Sequence, residues 1–213
     1  MSNLLVRPAT QDDAATIQGV EDLAFDESYR LFPGILNDRK GYIAHATETY
    51  RKIIADKDGD QTWMVAEDTA TGTIAGVLRF RKVDDACAQP HAYISEIPFG
   101  GEETVRFVNA SILMRREVMK NRPHYHLQTL ATCPAFQRRG VGSQLLAHLT
   151  NISNTSKIPI YLQGSPTGLH IYRKHGFVEQ GPTVLFPVAP GQEPDGEVVT
   201  VMVREPQHMN GAA

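Results

Sequence analysis

Residues 137–143 read Gln-Arg-Arg-Gly-Val-Gly-Ser, and this stretch is the most informative part of the chain. It follows an apolar run at residues 127–133 and precedes a helical pattern that begins at about Val141. A strand, a tight turn and a helix N-terminus in this order leave several backbone N–H groups without helical partners. Together with the helix dipole, these groups form a site for an anion. Gly140 and Gly142 remove the side chains that would keep a phosphate away from the backbone, and the two arginines add positive charge. We therefore predict that this loop holds a pyrophosphate.

Two common classes of pyrophosphate loop do not fit the stretch. The dinucleotide fingerprint needs a third glycine three residues after Gly142, where Leu145 stands. The P-loop needs Gly-Lys-Ser/Thr, and no lysine follows Gly142. The remaining pattern, Gln-Arg-Arg-Gly-x-Gly after a strand, resembles the acetyl-CoA-binding motif of the GNAT superfamily of N-acetyltransferases.

Two further segments carry the same resemblance. Residues 159–177 resemble the superfamily's next strand and helix, and they end in its Tyr-x-x-x-Gly-Phe signature at Tyr172, Gly176 and Phe177. The opening Val-Arg-Pro-Ala-Thr of residues 6–10, with the amphipathic run after it, is similar to the family's first strand and helix. The three pieces follow the family's order. The resemblance extends from about residue 4 to residue 204 and is specific within residues 127–177.

The order of predicted elements, β-α-α-β-β-α-β-α-β-α-β-β, indicates an α/β fold with a sheet of mixed strand direction. The resemblance implies a single GNAT-like domain with a mostly antiparallel central sheet and helices on both faces. It also implies that the parallel strands on either side of the helix at residues 140–154 splay apart at the cofactor site. We expect one domain over residues 1–206 and a disordered tail at residues 207–213. The segments 26–40, mostly loop, and 84–101 are expected to wall the acceptor side.

Composition excludes several other functions. The formal net charge of −3 over 213 residues gives no reason to expect nucleic-acid binding, which needs clustered positive charge. Cys87 and Cys133 lie far apart without metal-ligand spacing, so we expect free thiols. No two of His148, His170 and His175 have metal-ligand geometry with carboxylates or cysteines nearby, so we expect no metal. Neither a secretory signal nor a membrane-span-length apolar run is present in the sequence. We expect a cytoplasmic monomer or homodimer that does not bind a membrane.

The resemblance implies a cofactor site made by a strand end, the glycine loop and the following short helix. Its residues are Leu130, Ala131, Thr132, Gln137, Arg138, Arg139, Gly140, Val141, Gly142, Ser143, Ser165 and Tyr172. Backbone N–H groups from about residue 138 to 143 would bind the pyrophosphate, whereas the two arginine side chains are equally compatible with a solvated pair. Backbone groups of the strand would bind the pantetheine amides and polarise the thioester carbonyl. Ser165 stands near the position where many relatives have an asparagine.

Tyr172 is the candidate general acid, because a phenol at the sulfur can protonate the leaving thiolate. The alternative is an ordinary core aromatic. Many relatives carry a glutamate base on the strand at residues 127–133, and this chain has no acidic residue there. The general-base candidates are His126, His124 and Glu67, with Glu96 in a neighbouring element. An acceptor that arrives neutral, or an oxygen acceptor, would need no such base. Cys133 lacks an activating partner and is interpreted as a small apolar filler.

These features predict an acetyl-CoA-dependent N-acetyltransferase that acts by direct transfer to a primary amine, either a small molecule or a peptide. Binding of the nucleotide end would hold the thioester in place and make the attack effectively intramolecular. The alternative is a non-catalytic acyl-CoA-binding module of the same fold. The missing strand glutamate is its main support.

Overall fold

The computed structural model of the chain describes residues 3–26, 33–84, 97–181, 184–186 and 197–207. The strands are β1 (Leu4–Pro8), β2 (Gln61–Asp68), β3 (Thr73–Val83), β4 (His124–Thr132), β5 (Ile160–Gly164), β6 (Val178–Glu179), β7 (Val184–Phe186) and β8 (Glu197–Arg204). The α-helices are α1 (Ala14–Ala24), α2 (Pro33–Asn37), α3 (Arg39–Ala55), α4 (Gly101–Met119), α5 (Val141–Ser156) and α6 (Leu169–Lys174).

The strands form a mixed sheet in the order β1-β2-β3-β4-β5-β8-β6, and β7 also pairs with β8. All of these pairs are antiparallel except β4 with β5, which are joined through α5. A parallel pair needs a crossover connection, and α5 supplies it. The predicted mixed, mostly antiparallel sheet is therefore confirmed.

The parallel strands β4 and β5 separate soon after they meet. They pair only at Tyr125 with Ile160 and at His126 with Tyr161. Beyond these positions β4 stays paired with β3 and β5 stays paired with β8, so a gap opens between β4 and β5. The splayed strand pair is therefore confirmed, and the gap points toward the start of α5.

Helices cover both faces of the sheet, as predicted. On one face, Leu145 and Leu149 of α5 are fully buried in a cluster with sheet residues such as Leu78. On the other face, α1 and α3 pack against β2 and β3, and Met119 of α4 packs near Tyr161 of β5. Burying a leucine side chain contributes about 1.5–3 kcal/mol, so the apolar stripe of α5 holds the helix firmly against this face of the sheet.

The prediction of a mostly irregular segment over residues 26–40 is wrong for its second half. Here α2 begins at Pro33 and α3 begins at Arg39. Proline and glycine at positions 33 and 34 indicate a turn, but proline is also favourable in the first turn of a helix, where its missing N–H costs nothing. Asp38 caps α3 by accepting a hydrogen bond from the Gly41 amide at 2.9 Å.

Some predicted features lie outside the described residues. These are residues 27–32 and 85–96 of the expected acceptor walls, with Cys87 and Glu96 among them, and residues 208–213 of the expected tail.

Candidate functional site

The glycine loop ends in a helix start whose first amides are open. Gly140 has a φ of +84° and Val141 begins α5. The first helical hydrogen bond runs from the Gln144 amide to the Gly140 carbonyl at 3.0 Å. The amides of Val141, Gly142 and Ser143 precede it, so no helical carbonyl lies one turn before them. A Cβ on Gly140 would meet nothing within 4 Å, so glycine is needed here for its backbone angle.

A close approach to the sheet fixes this helix start. A Cβ on Gly76 of β3 would lie 2.6 Å from Val141 Cγ1 and 2.9 Å from the Ala131 carbonyl oxygen. Only glycine allows the first turn of α5 to come so near to β3 and β4. Sequence reasoning missed Gly76, although a glycine inside a strand pattern is a known sign of close backbone approach.

Gly142 has a different role from Gly140. Its Cβ would lie 3.1 Å from Ile171 Cδ1 and 3.6 Å from Thr132 Oγ1. The position therefore faces α6 and the end of β4, and its small size lets those elements pack beside the open amides. The glycine loop, the end of β4 and α6 are thus brought together.

The end of β4 presents alternate backbone groups to the gap. The Cys133 amide donates to the Ala75 carbonyl of β3 at 2.9 Å, and Ala131 pairs with Val77 in the same register. Backbone groups of successive strand residues point to opposite sides. Those of Leu130 and Thr132 therefore face the gap, whereas those of Ala131 face β3.

Tyr172 lies in α6 beside the end of β5. A Cβ on Gly164 would lie 3.2 Å from its ring, and the ring packs edge-on against Phe177 with centroids 5.7 Å apart. Burial raises the pKa of Tyr172 to about 12, so the phenol is neutral at pH 7. Burial is the single cause of this shift, and among the described residues no hydrogen-bond partner contacts the hydroxyl group. Gly176, with a φ of +83°, ends the helix as its signature predicts.

The polar side chains of the loop are exposed at the mouth of the site. Gln137, Arg138 and Arg139 are exposed, and the Arg139 guanidinium lies over the Phe136 ring at 5.3 Å from its centroid. Ser165 follows β5 directly, and its hydroxyl is 3.1 Å from the Thr167 hydroxyl. Two positive charges therefore stand next to the open amides.

The two histidine candidates lie on the sheet face opposite α5, and His126 is partly buried there. His124 is fully buried, and its Nδ1 lies 2.8 Å from the Arg122 carbonyl, so this nitrogen carries the proton. Burial lowers the pKa of His124 to about 4. Burial also lowers the pKa of His126 well below its usual value, and the Arg115 charge adds to this effect. Only His126 stands where the gap begins, because it forms the last pair between β4 and β5.

Glu67 is not brought to the gap. It lies in β2 opposite Leu5 of β1, and the whole of β3 separates it from β4. Its carboxylate forms an ion pair with Arg7 at 2.7 Å. Arg7 also binds Asp13 at 2.7 Å, so Glu67 belongs to a network that ties β1 to the start of α1.

The remaining features of the described residues concern Cys133, metal ligands and membrane spans. Cys133 is free, partly buried and packed against the apolar cluster under α1. Across the described ranges no group of three or more metal-ligating side chains occurs. Nor does any helix in those ranges have the length and apolar character needed to cross a membrane.

The fold is shared by solved acetyltransferases. A structure from Corynebacterium glutamicum, described as histone acetyltransferase HPA2 and related acetyltransferase, is 24% identical, with a TM-score of 0.59 and 99% of both chains covered. PaiA N-acetyltransferase from Thermoplasma acidophilum, in complex with coenzyme A, is 15% identical with a TM-score of 0.57, over 95% of this chain and 98% of that one. Spermidine N-acetyltransferase from Vibrio cholerae, in complex with CoA and spermine, is 17% identical with a TM-score of 0.57, over 96% of each chain.

No functionally curated protein is significantly similar in sequence. A family model described as an acetyltransferase (GNAT) domain matches residues 58–179, which is more than half of the chain. This range contains the gap between β4 and β5, the open amides of α5 and Tyr172. The chain therefore belongs to the GNAT acetyltransferase family.

Proposed function

We propose that the protein is an acetyl-CoA-dependent N-acetyltransferase that transfers the acetyl group directly to a primary amine. We rest the proposal on one observation: the open amides of α5 and the gap-facing backbone of β4 lie at one gap in the sheet, with Tyr172 in α6 beside the end of β5. A binding module needs the first two of these features. A proton donor beside them is what the transfer reaction adds.

The residues present fit coenzyme A. The amides of Val141, Gly142 and Ser143, together with the dipole of the 16-residue α5, would bind the pyrophosphate. Arg138 and Arg139 add full charges at the same edge. The backbone groups of Leu130 and Thr132 would bind the pantetheine amides in the gap, as an added strand would.

The bound cofactor would supply a thioester carbonyl for attack and a thiol as leaving group. Tyr172 can donate a proton to the sulfur, because burial keeps the phenol neutral. The gap-facing amides of Leu130 or Thr132 can donate to a carbonyl oxygen that gains negative charge. None of these roles requires a metal ion.

We propose that the acceptor enters as the free amine. The two histidines are neutral at pH 7, and their lowered pKa values make them weak bases. Glu67 is held by Arg7 at the far side of β3. Deprotonation of the acceptor in solution avoids the need for a strong base at the gap.

The same observation favours the rival function, a non-catalytic acyl-CoA-binding module. Calorimetry with acetyl-CoA, followed by thiol-release measurements with a panel of primary amines, separates the two. Binding together with amine-dependent thiol release supports the enzyme. Binding without release from any amine would establish the module, and absence of binding would overturn both.

A further inference from the structure

A row of polar side chains crosses the sheet on the face opposite α5. Arg81 of β3 pairs with His126 of β4, and His126 pairs with Tyr161 of β5. The His126 and Tyr161 rings are 5.6 Å apart between centroids. The residues next to them in sequence, Phe80, Leu127 and Ile160, belong to the core under α5. Since side chains alternate along a strand, the polar row faces the other way, toward α4.

Arg115 of α4 points at this row. Gln163 of β5 donates from its Nε2 to the Ser111 carbonyl at 3.1 Å and to the Tyr161 hydroxyl at 2.9 Å. One turn after Arg115, Met119 packs in the same cluster as Tyr161. Residues four apart share one face of a helix. Arg115 therefore lies on the face of α4 that packs toward Tyr161, and its charge interacts with Arg81 and Tyr161.

The positive charge of Arg115 beside this polar row is not balanced by a described carboxylate. Arg115 is only 3% exposed. Within the described part of the chain no carboxylate pairs with it, and burial together with the Arg81 charge lowers the pKa of Arg115 to about 10. Among the described residues the side chain of Arg81 meets one carboxylate, that of Asp60, at 3.5 Å near the surface. A buried cation without an anionic partner is strongly destabilising, so a structural role alone does not explain Arg115.

Several buried polar atoms of this sheet face and of the α4 residues packed on it also lack hydrogen-bond partners among the residues that the structure describes. They are Arg79 Nε, Arg81 Nε, Ser111 Oγ, Arg115 Nη1 and His126 Nδ1. Three of the five are guanidinium nitrogens, which can only donate. Buried polar groups in native proteins are nearly always satisfied, and a ligand is one source of the missing partner. An acceptor oxygen that carries negative charge suits these donors best.

We propose that this group, Arg79, Arg81 and Arg115 with His126, Tyr161 and Gln163, binds an anionic group, carboxylate or phosphate, carried by the acceptor amine. The inference rests on the proposed function. The row ends at the last pair between β4 and β5, where the gap begins. An acceptor held there by its anionic end would direct its amine into the gap from the face opposite α5.

Matched acceptor pairs test the inference on the wild-type protein. The first arm compares the twenty amino acids, β-alanine and 6-aminohexanoate with their amides, and the second compares O-phosphoethanolamine with ethanolamine. Thiol release is measured with acetyl-CoA, and binding of each acceptor is measured by calorimetry without it. At least one acid is expected to surpass its neutral partner about tenfold or more in both readouts. A preference in the first arm identifies the bound anionic group as a carboxylate, and a preference in the second arm identifies it as a phosphate.

Substitution of Arg115 tests whether this residue causes the preference for acidic acceptors. Arg115→Gln is expected to lower kcat/KM for the preferred acid about 10- to 100-fold, to change that of the neutral partner little and to keep acetyl-CoA affinity. Arg115→Lys should retain part of the preference. The control Arg51→Gln removes the same charge from an exposed pair with Glu48 on α3. Equal use of acids and neutral partners by the wild type, or equal losses for both in Arg115→Gln, would overturn the inference. Failure to bind acetyl-CoA would instead overturn the proposed function.

Discussion

Replacement of Gly140 by alanine tests the proposed pyrophosphate site directly. Gly140 has a φ of +84°, a region that costs a residue with a Cβ about 1–2 kcal/mol. A Cβ here would meet nothing within 4 Å, so Gly140→Ala introduces no clash within the protein. The added methyl group either stands in the open space beside the amides or forces the turn to relax and redirects them. Both outcomes weaken a phosphate held by these amides.

Gly72, in the turn between β2 and β3, offers a matched control. It has a φ of +70°, is exposed like Gly140, and a Cβ there would also meet nothing within 4 Å. Gly72→Ala and Gly140→Ala should therefore lose similar stability, about 2–8 °C in Tm for a chain of this length. The two substitutions differ only in their distance from the proposed site.

The assay is calorimetric titration of acetyl-CoA into each variant well below its Tm. Loss of one hydrogen bond to a charged group costs about 1.5–3 kcal/mol, so the Kd of Gly140→Ala should rise about 10- to 100-fold. The Kd of Gly72→Ala should equal that of the wild type. Equal affinities of the two variants for acetyl-CoA would refute the assignment of the open amides to the pyrophosphate. Backbone strain would then account for the loss of Tm in both variants, with no effect specific to the proposed site.

Three further predictions concern titratable groups. Tyr172→Phe should lower kcat about 10²- to 10⁴-fold and leave the Kd of acetyl-CoA unchanged; a wild-type kcat would make Tyr172 a core residue. The profile of kcat/KM against pH should follow the pKa of the acceptor amine without an inflection near pH 6.5, since the pKa of His126 is lowered well below that value. An inflection near pH 6.5 that His126→Gln removes would contradict this. Finally, the pKa of His124 is about 4 in the folded state against 6.5 for the free side chain. The free energy of unfolding is therefore highest above pH 6.5, where His124 is neutral in both states, and it decreases as the pH falls through 4. Urea unfolding should show a decrease of about 3 kcal/mol in the free energy of unfolding over this pH range, and the decrease should be clearly smaller in His124→Gln.

The cofactor side of the site could be predicted from the sequence because it depends on local backbone geometry. Gly140 stands at a helix start, where a left-handed residue and open amides follow from a few neighbouring residues. Gly176 of the Tyr-x-x-x-Gly-Phe signature specifies the end of α6 in the same local way. Splaying of β4 and β5 is not local, and only the resemblance to the family implied it.

The acceptor side could not be predicted, because it depends on strand register and helix placement. No motif in the sequence singles out Arg115, yet it is buried in the structure. For His126 the sequence is compatible with a general base or with an exposed or hydrogen-bonded residue at a strand entrance, and the pairing with Arg81 and Tyr161 places it in a polar row. Glu67 suggested a base by residue type alone, and the order of the strands removes it from the gap.

This contrast explains why membership of the family specifies the cofactor more closely than the acceptor. Main-chain amides at the start of α5 can bind a pyrophosphate whatever side chains surround them, provided that Gly76 and Gly140 allow the backbone its position. The opposite face is built from side chains of β3, β4, β5 and α4, each of which can change without disturbing the backbone at the gap. A cationic cluster on that face is therefore compatible with acetyl-CoA as the donor, and an acidic cluster in its place would be compatible with the same donor. It follows that the charge of the buried face, and not the glycine loop, should decide which amines the protein accepts.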